Sequence, residues 1–426
     1  MWLMKDTPAL FTDMYELTMA QVYFEKQMTE TAYFEVYIRK LPENWGFFVM
    51  AGLAEIESFL REFRFSEANI DYLRSTKFLK EDFLDYLATF KAEVEIRALP
   101  EGTVFFPDEP VLEVAGPLIS AQLLESYVLN ILGFSIIQAT LATRVSIAAG
   151  GAAVVDFGLR RCQGPVASLR SARGAQIAGF SATSNMFAAK ELDFTPSGTM
   201  AHSFVHVHAS EQQAFGNFVE AYGENSILLV DTYDSVEGIK QAAALAKKIH
   251  EQKNVKIRGV RIDSGDHVKL SRFAREYFRD RGVGFLEIFV SGDLDEYEIN
   301  DLLAQGAEVD GFGVGTRLAV SRFAPAVEIV YKIAQYGARG VSKSSPGKET
   351  RPGRKEIARI KRRNHYDKDV VSPLKSGTDD LLKPFVSTED MPTIQQRLAA
   401  ELSALDDSIK TIRNPGKYAI EFARIS

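Results

Sequence analysis

The sequence predicts a mixed α/β fold in which a parallel α/β barrel is combined with an N-terminal α+β region and a small β-rich domain. Three observations lead to this prediction. Short apolar runs alternate with helical stretches between about residues 150 and 320, which is typical of a parallel sheet covered by helices. Residues 92–118 place prolines and glycines between short β-like runs, which indicates tightly turned β-structure. The chain has 426 residues, enough for two or three domains.

The elements before the barrel follow from hydrophobic periodicity. Residues 15–25 have a helical pattern, and residues 31–39 alternate in the manner of a strand. Residues 53–63 and 67–87 are predicted to be amphipathic helices. From residue 121, two long helices are predicted up to about residue 149.

The barrel is predicted from a repeated unit of a short apolar run, a polar or glycine end and a helical stretch. Three of the run ends, His202, Asp231 and Asp263, are spaced by about 30 residues, the length of one β–α unit. Six or seven such units favour a barrel over an open sheet, and the sequence leaves closure of the sheet undetermined. The predicted strands lie at residues 153–156, 200–202, 227–231, 259–263, 286–291 and 309–313.

These patterns divide the chain into three parts. Residues 1–120 form the N-terminal α+β region, with the β-rich subdomain at about 92–118. Residues 121–335 form the barrel, and residues 336–426 form a C-terminal region expected to pack back on the N-terminal domain. That last region contains one good helix and one final β-like run.

Composition narrows the class of protein. Hydrophobic residues make up 46% and charged residues 25%, which is ordinary for a globular protein. The net charge of −7 argues against a nucleic-acid partner. No stretch approaches the roughly 20 apolar residues of a membrane span, and the start lacks the apolar run of a signal peptide. A single cysteine, Cys162, cannot form an internal disulfide, so an intracellular, cytoplasmic location is expected.

Polar groups suited to phosphate and metal recur at the predicted strand ends, where parallel α/β proteins place their sites. Arginines there supply fixed cations for phosphate or carboxylate, and glycine-rich turns let backbone N–H groups approach an anion. Asp231 and Asp263 are predicted to hold Mg²⁺ beside such phosphates, with Asp266 and Asp293 as further candidates. The residues singled out are Arg160, Arg161, His202, Asp231, Arg261, Asp263, Ser264, Ser291, Gly292, Asp293, Gly313, Gly315 and Thr316.

Each of these residues also has a plain structural interpretation. An aspartate after a strand often only caps the next helix, and a lone histidine after an apolar run is more often structural than chemical. The recurrence over consecutive units favours a binding site for a multiply phosphorylated ligand. No lysine ends a predicted strand, which argues against a Schiff-base lyase or isomerase acting on a sugar phosphate. For His202, the residues leave open the roles of base, ligand and phosphoryl acceptor.

A second feature is a basic segment, residues 343–363, which with Arg339 carries ten lysines and arginines. One interpretation is contact with the phosphates of ATP or pyrophosphate, and the other is a solvated basic loop. The residues give no preference between them.

The motifs resemble those of the nicotinate phosphoribosyltransferase family, from residue 11 to about residue 360. They include Gly198-Thr199-Met200-Ala201-His202-Ser203-Phe204 and Asp156-Phe157-Gly158-Leu159-Arg160-Arg161, and their order and spacing are specific. Further matching motifs lie at residues 11–19, 105–110, 229–234, 261–266 and 312–318. The resemblance implies an irregular α/β barrel and a reaction that joins nicotinate to phosphoribosyl pyrophosphate, with coupled ATP hydrolysis and Mg²⁺, in NAD salvage.

The resemblance also implies roles for individual residues. His202 resembles the histidine that ATP phosphorylates, and Asp231 resembles the acid that orients it. Phe157 resembles the aromatic residue that stacks on the pyridine ring. Arg160 and Arg261 resemble ligands of carboxylate and phosphates, and Asp263 resembles the acid near ribose and metal. The 5′-phosphate and ribose site corresponds to Gly292, Asp293, Gly315 and Thr316.

Two further expectations concern specificity and assembly. Ser184 occupies the position where nicotinamide-using relatives carry an aspartate, and a serine there favours the acid over the amide because it can donate to a carboxylate. Tyr15 and Asp13 resemble residues that a partner subunit supplies, which implies a homodimer with shared active sites. A nicotinamide phosphoribosyltransferase and a non-catalytic nucleotide-binding relative are the alternatives within this resemblance.

Overall fold

The computed structural model describes residues 8–375 and 380–423. The helices are α1 Met14–Glu25, α2 Leu53–Glu62, α3 Glu67–Thr76, α4 Glu81–Ala88, α5 Leu118–Gln122, α6 Glu125–Ala148, α7 Pro165–Ile177, α8 Met186–Glu191, α9 His202–His206, α10 Glu211–Tyr222, α11 Ser235–Lys253, α12 His267–Asp280, α13 Glu296–Ala304, α14 Thr316–Ala319, α15 Met391–Ala404 and α16 Asp407–Lys410. The strands are β1 Thr31–Ile38, β2 Phe48–Val49, β3 Glu95–Ala98, β4 Val104–Phe105, β5 Leu112–Pro117, β6 Ala153–Asp156, β7 Ala182–Thr183, β8 Ile227–Leu229, β9 Gly259–Ile262, β10 Glu287–Ser291, β11 Gly311–Val314, β12 Ile329–Tyr336, β13 Arg339–Gly340, β14 Lys355–Arg362, β15 His365–Pro373, β16 Lys383–Pro384 and β17 Ala419–Phe422.

Two units make up the chain. The first contains the described residues up to Thr140 and those from Phe323 onward, and the second is Leu141–Arg322. The first unit thus joins the N-terminal region to the C-terminal region, and the second holds the parallel sheet. The second unit is shorter than the segment 121–335 expected for the barrel.

A six-stranded sheet in the order β13-β12-β1-β5-β3-β16 forms the centre of the first unit, and its neighbouring strands are antiparallel. A second sheet, β14-β15-β17, is built from the C-terminal part of the chain. The tightly turned β-structure predicted for 92–118 is present as β3, β4 and β5. The apolar face of β1 alternates as predicted, because Ala32, Phe34, Val36 and Ile38 are all buried.

Two helix predictions for this part of the chain need correction. Residues 67–87 form two helices, α3 and α4, rather than one continuous helix. Helix α3 ends because Lys77 adopts a left-handed backbone conformation (φ 58°). Residues 121–149 contain one long helix, α6, after the short α5, instead of two long helices. The stretch Leu118–Ala148 is apolar and long enough to cross a membrane, but 83% of its most apolar window is buried within the protein, as in a core helix.

The second unit confirms the predicted α/β class with a parallel, barrel-type sheet. Its strand order is β7-β6-β11-β10-β9-β8, and all neighbouring strands are parallel. Helices alternate with these strands along the chain, and side chains of α10, α11 and α12 pack on the sheet in one apolar cluster. The strands are short and mostly buried, which is why they appear in the sequence as nearly continuous apolar runs.

The sheet is a curled half-barrel, and it is open between β7 and β8. A strand predicted at residues 200–202 would have filled that position. In the fully described segment between β7 and β8 no residue belongs to a strand, and Thr183 makes only an isolated bridge to Pro196. His202 is therefore the first residue of helix α9, with Ala201 as its N-cap, and not the end of a strand.

Candidate active site

The carboxyl ends of the parallel strands meet at one edge of the half-barrel. Asp156 and Ser291 are the last residues of β6 and β10, and Asp263 follows β9 directly. Because β10 pairs with β9 and β11, and β11 pairs with β6, these residues lie within four consecutive strands at the same edge. This edge is where parallel α/β sheets bind their ligands.

A cavity of about 190 Å³ lies within the second unit. Phe157 and Gly313 stand at the carboxyl ends of the strands, and Arg261 extends into the same space from β9. An aromatic ring and a fixed cation in a mostly apolar cavity suit a flat, anionic ligand. The full lining is Val155, Phe157, Ser181, Ala182, Thr195, Pro196, Ser197, Thr199, Ile227, Arg258, Arg261, Phe289, Phe312 and Gly313.

Arg261 is held rigidly by three acceptors. Its Nη1 donates to the Asp263 carboxylate at 2.9 Å and to the Ser291 hydroxyl at 3.1 Å, and its Nη2 donates to the Met200 carbonyl at 2.8 Å. Burial lowers the pKa of Arg261 from its usual value, and the Asp263 carboxylate acts in the opposite direction. The Nε is buried and has no partner among the described residues, so this N–H is available to a ligand in the cavity.

The ring of Phe157 is positioned by Gly313 on the adjacent strand. The backbone N–H of Phe157 donates to the Val314 carbonyl at 2.7 Å, which fixes the start of the loop after β6. A Cβ atom at position 313 would lie 2.4 Å from Cε2 of the Phe157 ring, closer than any real contact. Glycine is therefore required at 313 for the ring to lie flat against the strand, 6.0 Å from the Arg261 guanidinium.

Replacing Gly313 with alanine is expected to displace the Phe157 ring and to raise KM for the aromatic substrate by about tenfold. The matched control is Gly216→Ala on α10, where an added Cβ meets nothing within 4 Å. Steady-state kinetics of both variants measure the effect. A Gly313→Ala enzyme with the KM of the wild type would contradict the assigned role of the ring.

His202 contacts a residue that the sequence did not single out. Its Nδ1 lies 3.1 Å from the Thr232 hydroxyl, and its Nε2 lies 4.0 Å from the Asp263 carboxylate. The resemblance implied Asp231 as its orienting partner, but the described residues show no hydrogen bond between the two. The side chain of His202 is 42% exposed, so the ring is accessible to a ligand.

One carboxylate oxygen of Asp231 accepts a hydrogen bond, and the other has no partner among the described residues. Its Oδ2 accepts from the Ser264 hydroxyl, and its Oδ1 is buried without a partner among the described residues. An unsatisfied buried carboxylate oxygen is the kind of atom that a cation or a water molecule satisfies. Asp266, the other nearby candidate, is a helix cap, since its side chain accepts from Lys269 N–H at the start of α12.

Two residues near Asp231 were missed by sequence reasoning. Glu211 begins α10 and is 6% exposed, and its Oε1 is buried without a described partner. Burial and then the charge of Asp231 raise the pKa of Glu211 to about 7. His267 begins α12; burial lowers its pKa, and Asp263 and Asp231 oppose that shift. Neither residue ends a strand, so only their positions as first residues of helices could have drawn attention to them.

Glycines follow β10 and β11 at points where the backbone lies close to the backbone of a neighbouring segment. Gly292 has φ 99°, and a Cβ there would lie 2.1 Å from the Asp263 carbonyl oxygen, so no other residue fits. Asp293 follows in a left-handed conformation with φ 50°. Gly315 precedes the short helix α14, whose first residue is Thr316.

The remaining predicted site residues of this unit differ in position. Arg160 and Arg161 lie exposed in a 3₁₀ turn after β6. Arg160 is near enough to Arg261 for its charge to contribute to lowering the pKa of that guanidinium. Ser184 is half-buried beside Asp156, to whose carbonyl its N–H donates at 2.8 Å, and it does not line the cavity.

Asp13 and Tyr15 belong to the first unit and lie at the start of α1. The Ser126 hydroxyl donates to the Asp13 carboxylate at 2.6 Å, and the Tyr15 hydroxyl donates to Glu125. These residues line a cavity of about 530 Å³ within that unit. Tyr15 is 47% exposed.

Two cations in the second half of the basic segment form buried ion pairs. Lys355 is buried and binds both oxygens of Glu35 at 2.7 and 2.8 Å, and Arg359 is buried against Asp369 and Glu401. These cations are therefore neither solvated nor available to phosphates. Other cations of the segment are exposed: Lys343 and Lys348 in the loop before β14, and Lys361, Arg362 and Arg363 at its end.

Comparison with known proteins matches two family descriptions. Residues 10–133 match the nicotinate phosphoribosyltransferase N-terminal domain, and residues 152–362 match the nicotinate phosphoribosyltransferase family. Nicotinate phosphoribosyltransferase pncB2 of Mycobacterium tuberculosis is 44% identical, over 82% of this chain and 75% of that protein. The nicotinate phosphoribosyltransferase of Bacillus subtilis is 36% identical, over 98% of this chain and 93% of that protein.

Solved structures show the same fold. The crystal structure of human nicotinic acid phosphoribosyltransferase has a TM-score of 0.86 at 25% identity, and covers 97% of both chains. The structure of a nicotinate-nucleotide pyrophosphorylase from Pyrococcus furiosus has a TM-score of 0.76 at 26% identity, over 94% of this chain and 97% of that one.

Proposed function

Because this chain belongs to the nicotinate phosphoribosyltransferase family, we propose that its strand-end site joins nicotinate to phosphoribosyl pyrophosphate, in NAD salvage. The observation that carries the proposal is the pairing of Phe157 with Arg261 in one cavity. A stacking ring beside a fixed guanidinium recognises a flat ring that bears a carboxylate. Nicotinate has both features at once.

The reaction is a displacement at the anomeric carbon of the ribose. The pyridine nitrogen forms the new bond as the bond to pyrophosphate breaks, and the products are nicotinate mononucleotide and pyrophosphate. Charge develops on the leaving oxygens, so cations fixed before the reaction stabilise the transition state most. Arg261 is occupied with the carboxylate of nicotinate in this proposal, so the exposed Arg160 and Arg161 on the turn after β6 are the cations for the phosphates.

ATP enters the proposal through His202. The γ-phosphoryl group forms a bond to an imidazole nitrogen as ADP leaves, and water later cleaves that bond to give phosphate. Phosphorylation would place about two negative charges beside Asp263 and Thr232. Such a change in charge alters the affinity of the neighbouring site for anionic substrates and products. In this scheme Asp231 orients His202 once ligands are bound, and Thr232 holds the ring without them.

Mg²⁺ fits the residues in a limited way. The buried, unpartnered Oδ1 of Asp231 is a suitable ligand, and Asp263 is the second candidate. No group of three or more His, Cys, Asp or Glu side chains in the described ranges is arranged to hold a metal ion. Mg²⁺ commonly takes one or two carboxylates and completes its shell with water and substrate phosphates, whose charge it neutralises.

A homodimer with shared active sites completes the proposal. Tyr15 carries an exposed ring in the first unit, beside Phe11, which is 48% exposed. Exposed aromatic rings of this kind are enriched at interfaces between subunits. We assign Tyr15 and Asp13 of one subunit to the active site of the other, and the location of the enzyme to the cytoplasm.

The experiment that tests the reaction measures product formation from nicotinate and from nicotinamide, each with and without ATP. Turnover of nicotinate, raised by ATP, is the expected result, because Arg261 binds a carboxylate and an amide lacks the charge. Faster turnover of nicotinamide would establish the amide as the substrate. No turnover of either would favour a non-catalytic relative.

His202→Ala is expected to abolish labelling by γ-labelled ATP and to remove the stimulation of turnover by ATP. The label on the wild type should be acid-labile and base-stable, as phosphohistidine is. His250→Ala on α11, outside the cavity, is the control and should keep both properties. A His202→Ala enzyme that still carries the label would assign the phosphoryl group to another residue.

A further inference from the structure

One motif of the sequence has no place in the reaction. Residues 105–110 connect β4 to β5 in the first unit, and Glu109 within them is completely buried. Its Oε2 accepts from the Phe106 N–H at 2.8 Å. Its Oε1 has no hydrogen-bond donor among the described residues, although the Asp369 carboxyl of β15 lies within hydrogen-bonding distance. Two ionised carboxylates cannot hydrogen-bond, because each can only accept.

Asp369 is fully satisfied as a carboxylate. It is completely buried, and Arg359 of β14 binds both of its oxygens, with Nε at 2.9 Å from Oδ1 and Nη2 at 2.6 Å from Oδ2. The Tyr418 hydroxyl donates to Oδ1 at 2.9 Å. A bidentate arginine–carboxylate pair of this kind is a strong, charge-assisted contact.

The charges around this cluster do not balance if every carboxyl is ionised. Arg359 is the cation whose charge acts on Glu109, and its Nη1 also donates to Glu401 of α15 at 2.6 Å. Glu401 in turn accepts from the Tyr366 hydroxyl at 2.7 Å, which leaves it satisfied as a carboxylate. Three carboxyl groups thus face one arginine and two tyrosine hydroxyls, and Glu109 is the one whose Oε1 accepts from none of them.

We propose that Glu109 is a buried proton-binding site, whose neutral carboxyl group donates a hydrogen bond to Asp369. The shared proton joins the connection between β4 and β5 to the β14–β15 hairpin. Aromatic rings close the same contact, since Phe106 stacks on Tyr418 with ring centroids 3.9 Å apart. The proton is therefore a structural ligand that the folded chain holds and the unfolded chain releases.

Electrostatics supports this assignment. Burial, and then the charge of Asp369, raise the pKa of Glu109 well above its usual range, while Arg359 opposes the shift. A carboxyl group whose pKa is raised by folding stabilises the protein fully below its unfolded pKa, about 4.3, and that contribution is lost as pH rises through the folded pKa. Between the two pKa values, each pH unit raises the unfolding equilibrium constant about tenfold.

The test is the pH dependence of urea unfolding of the full chain, between about pH 6 and pH 9, for the wild type and Glu109→Gln. The amide of glutamine donates to Asp369 without a titrating proton. For each pH unit, the unfolding equilibrium constant of the wild type should rise about tenfold more than that of the variant. Equal slopes would overturn the proposal, because they would mean that Glu109 binds no proton in this range.

A second measurement keeps the test decisive if Glu109→Gln does not fold. Infrared spectra of the wild type with ¹³C-labelled glutamate distinguish protonated from ionised glutamate side chains. A protonated band is expected to persist above about pH 7, the pKa of the buried Glu35 and Glu211. Its absence would overturn the proposal. Glu101→Gln is the matched control, since Glu101 is another buried glutamate and its side chain accepts from the N–H groups of Gly52 and Leu53.

Discussion

Replacing Arg261 with lysine is expected to lower kcat/KM for nicotinate by about 10²–10³-fold, or about 2.7–4 kcal/mol of transition-state stabilisation. Lysine keeps the positive charge but loses the planar fork. The guanidinium binds Asp263, Ser291 and the Met200 carbonyl at the same time and leaves Nε for the ligand, and one ammonium group cannot reproduce that arrangement. Initial rates with nicotinate and phosphoribosyl pyrophosphate varied in turn measure the loss.

Arg275→Lys supplies the matched control for this substitution. Arg275 lies on α12 of the same unit, where it pairs with Asp310 away from the cavity lining. Its replacement should leave kcat/KM within about twofold, because Arg275 does not line the cavity. An Arg261→Lys enzyme as active as this control would mean that the anionic substrate binds elsewhere.

Replacing Arg359 with alanine is expected to destabilise the first unit by about 3–5 kcal/mol. The arginine is the shared partner of Asp369 and Glu401, and its side chain is 4% exposed. Without it, two carboxylates remain in a buried site with no cation, which costs far more than the loss of an exposed ion pair. Urea unfolding of the full chain measures the change in the free energy of unfolding.

The neighbouring pair of Lys368 and Glu421 serves as the comparison. These side chains lie 2.8 Å apart and are 32% and 59% exposed, so Lys368→Ala should cost less than about 1 kcal/mol. If Arg359→Ala were as mild as Lys368→Ala, the buried network would not be what holds the hairpin to the rest of the unit.

The strand ends were predictable because each is a local pattern. Asp156, Asp263 and Ser291 stand where an apolar run stops, and a run of this type alternating with helices has one common structural meaning. The edge that brings these residues together then follows from the parallel arrangement alone. The position of these three residues at one edge could therefore be predicted without knowledge of any contact.

Other parts depend on contacts between distant residues. The segment 200–202 is too short for its period to distinguish a strand from a helix start, and the structure places His202 in α9. Thr232 was overlooked because its hydroxyl matters only when α9 lies beside it. The burial of Lys355 in the basic segment could not be predicted for the same reason, since Lys355 pairs with Glu35, 320 positions away in the sequence.

The open position between β7 and β8 has an evolutionary consequence. A closed barrel requires strand number, tilt and stagger to agree all the way round, so a change of length at one place disturbs the whole ring. In the half-barrel the segment between β7 and β8 pairs with the sheet only at the isolated bridge between Thr183 and Pro196. Insertions and deletions in the parts of this segment away from the cavity and His202 would therefore leave the register of β8, β9, β10 and β11 unchanged.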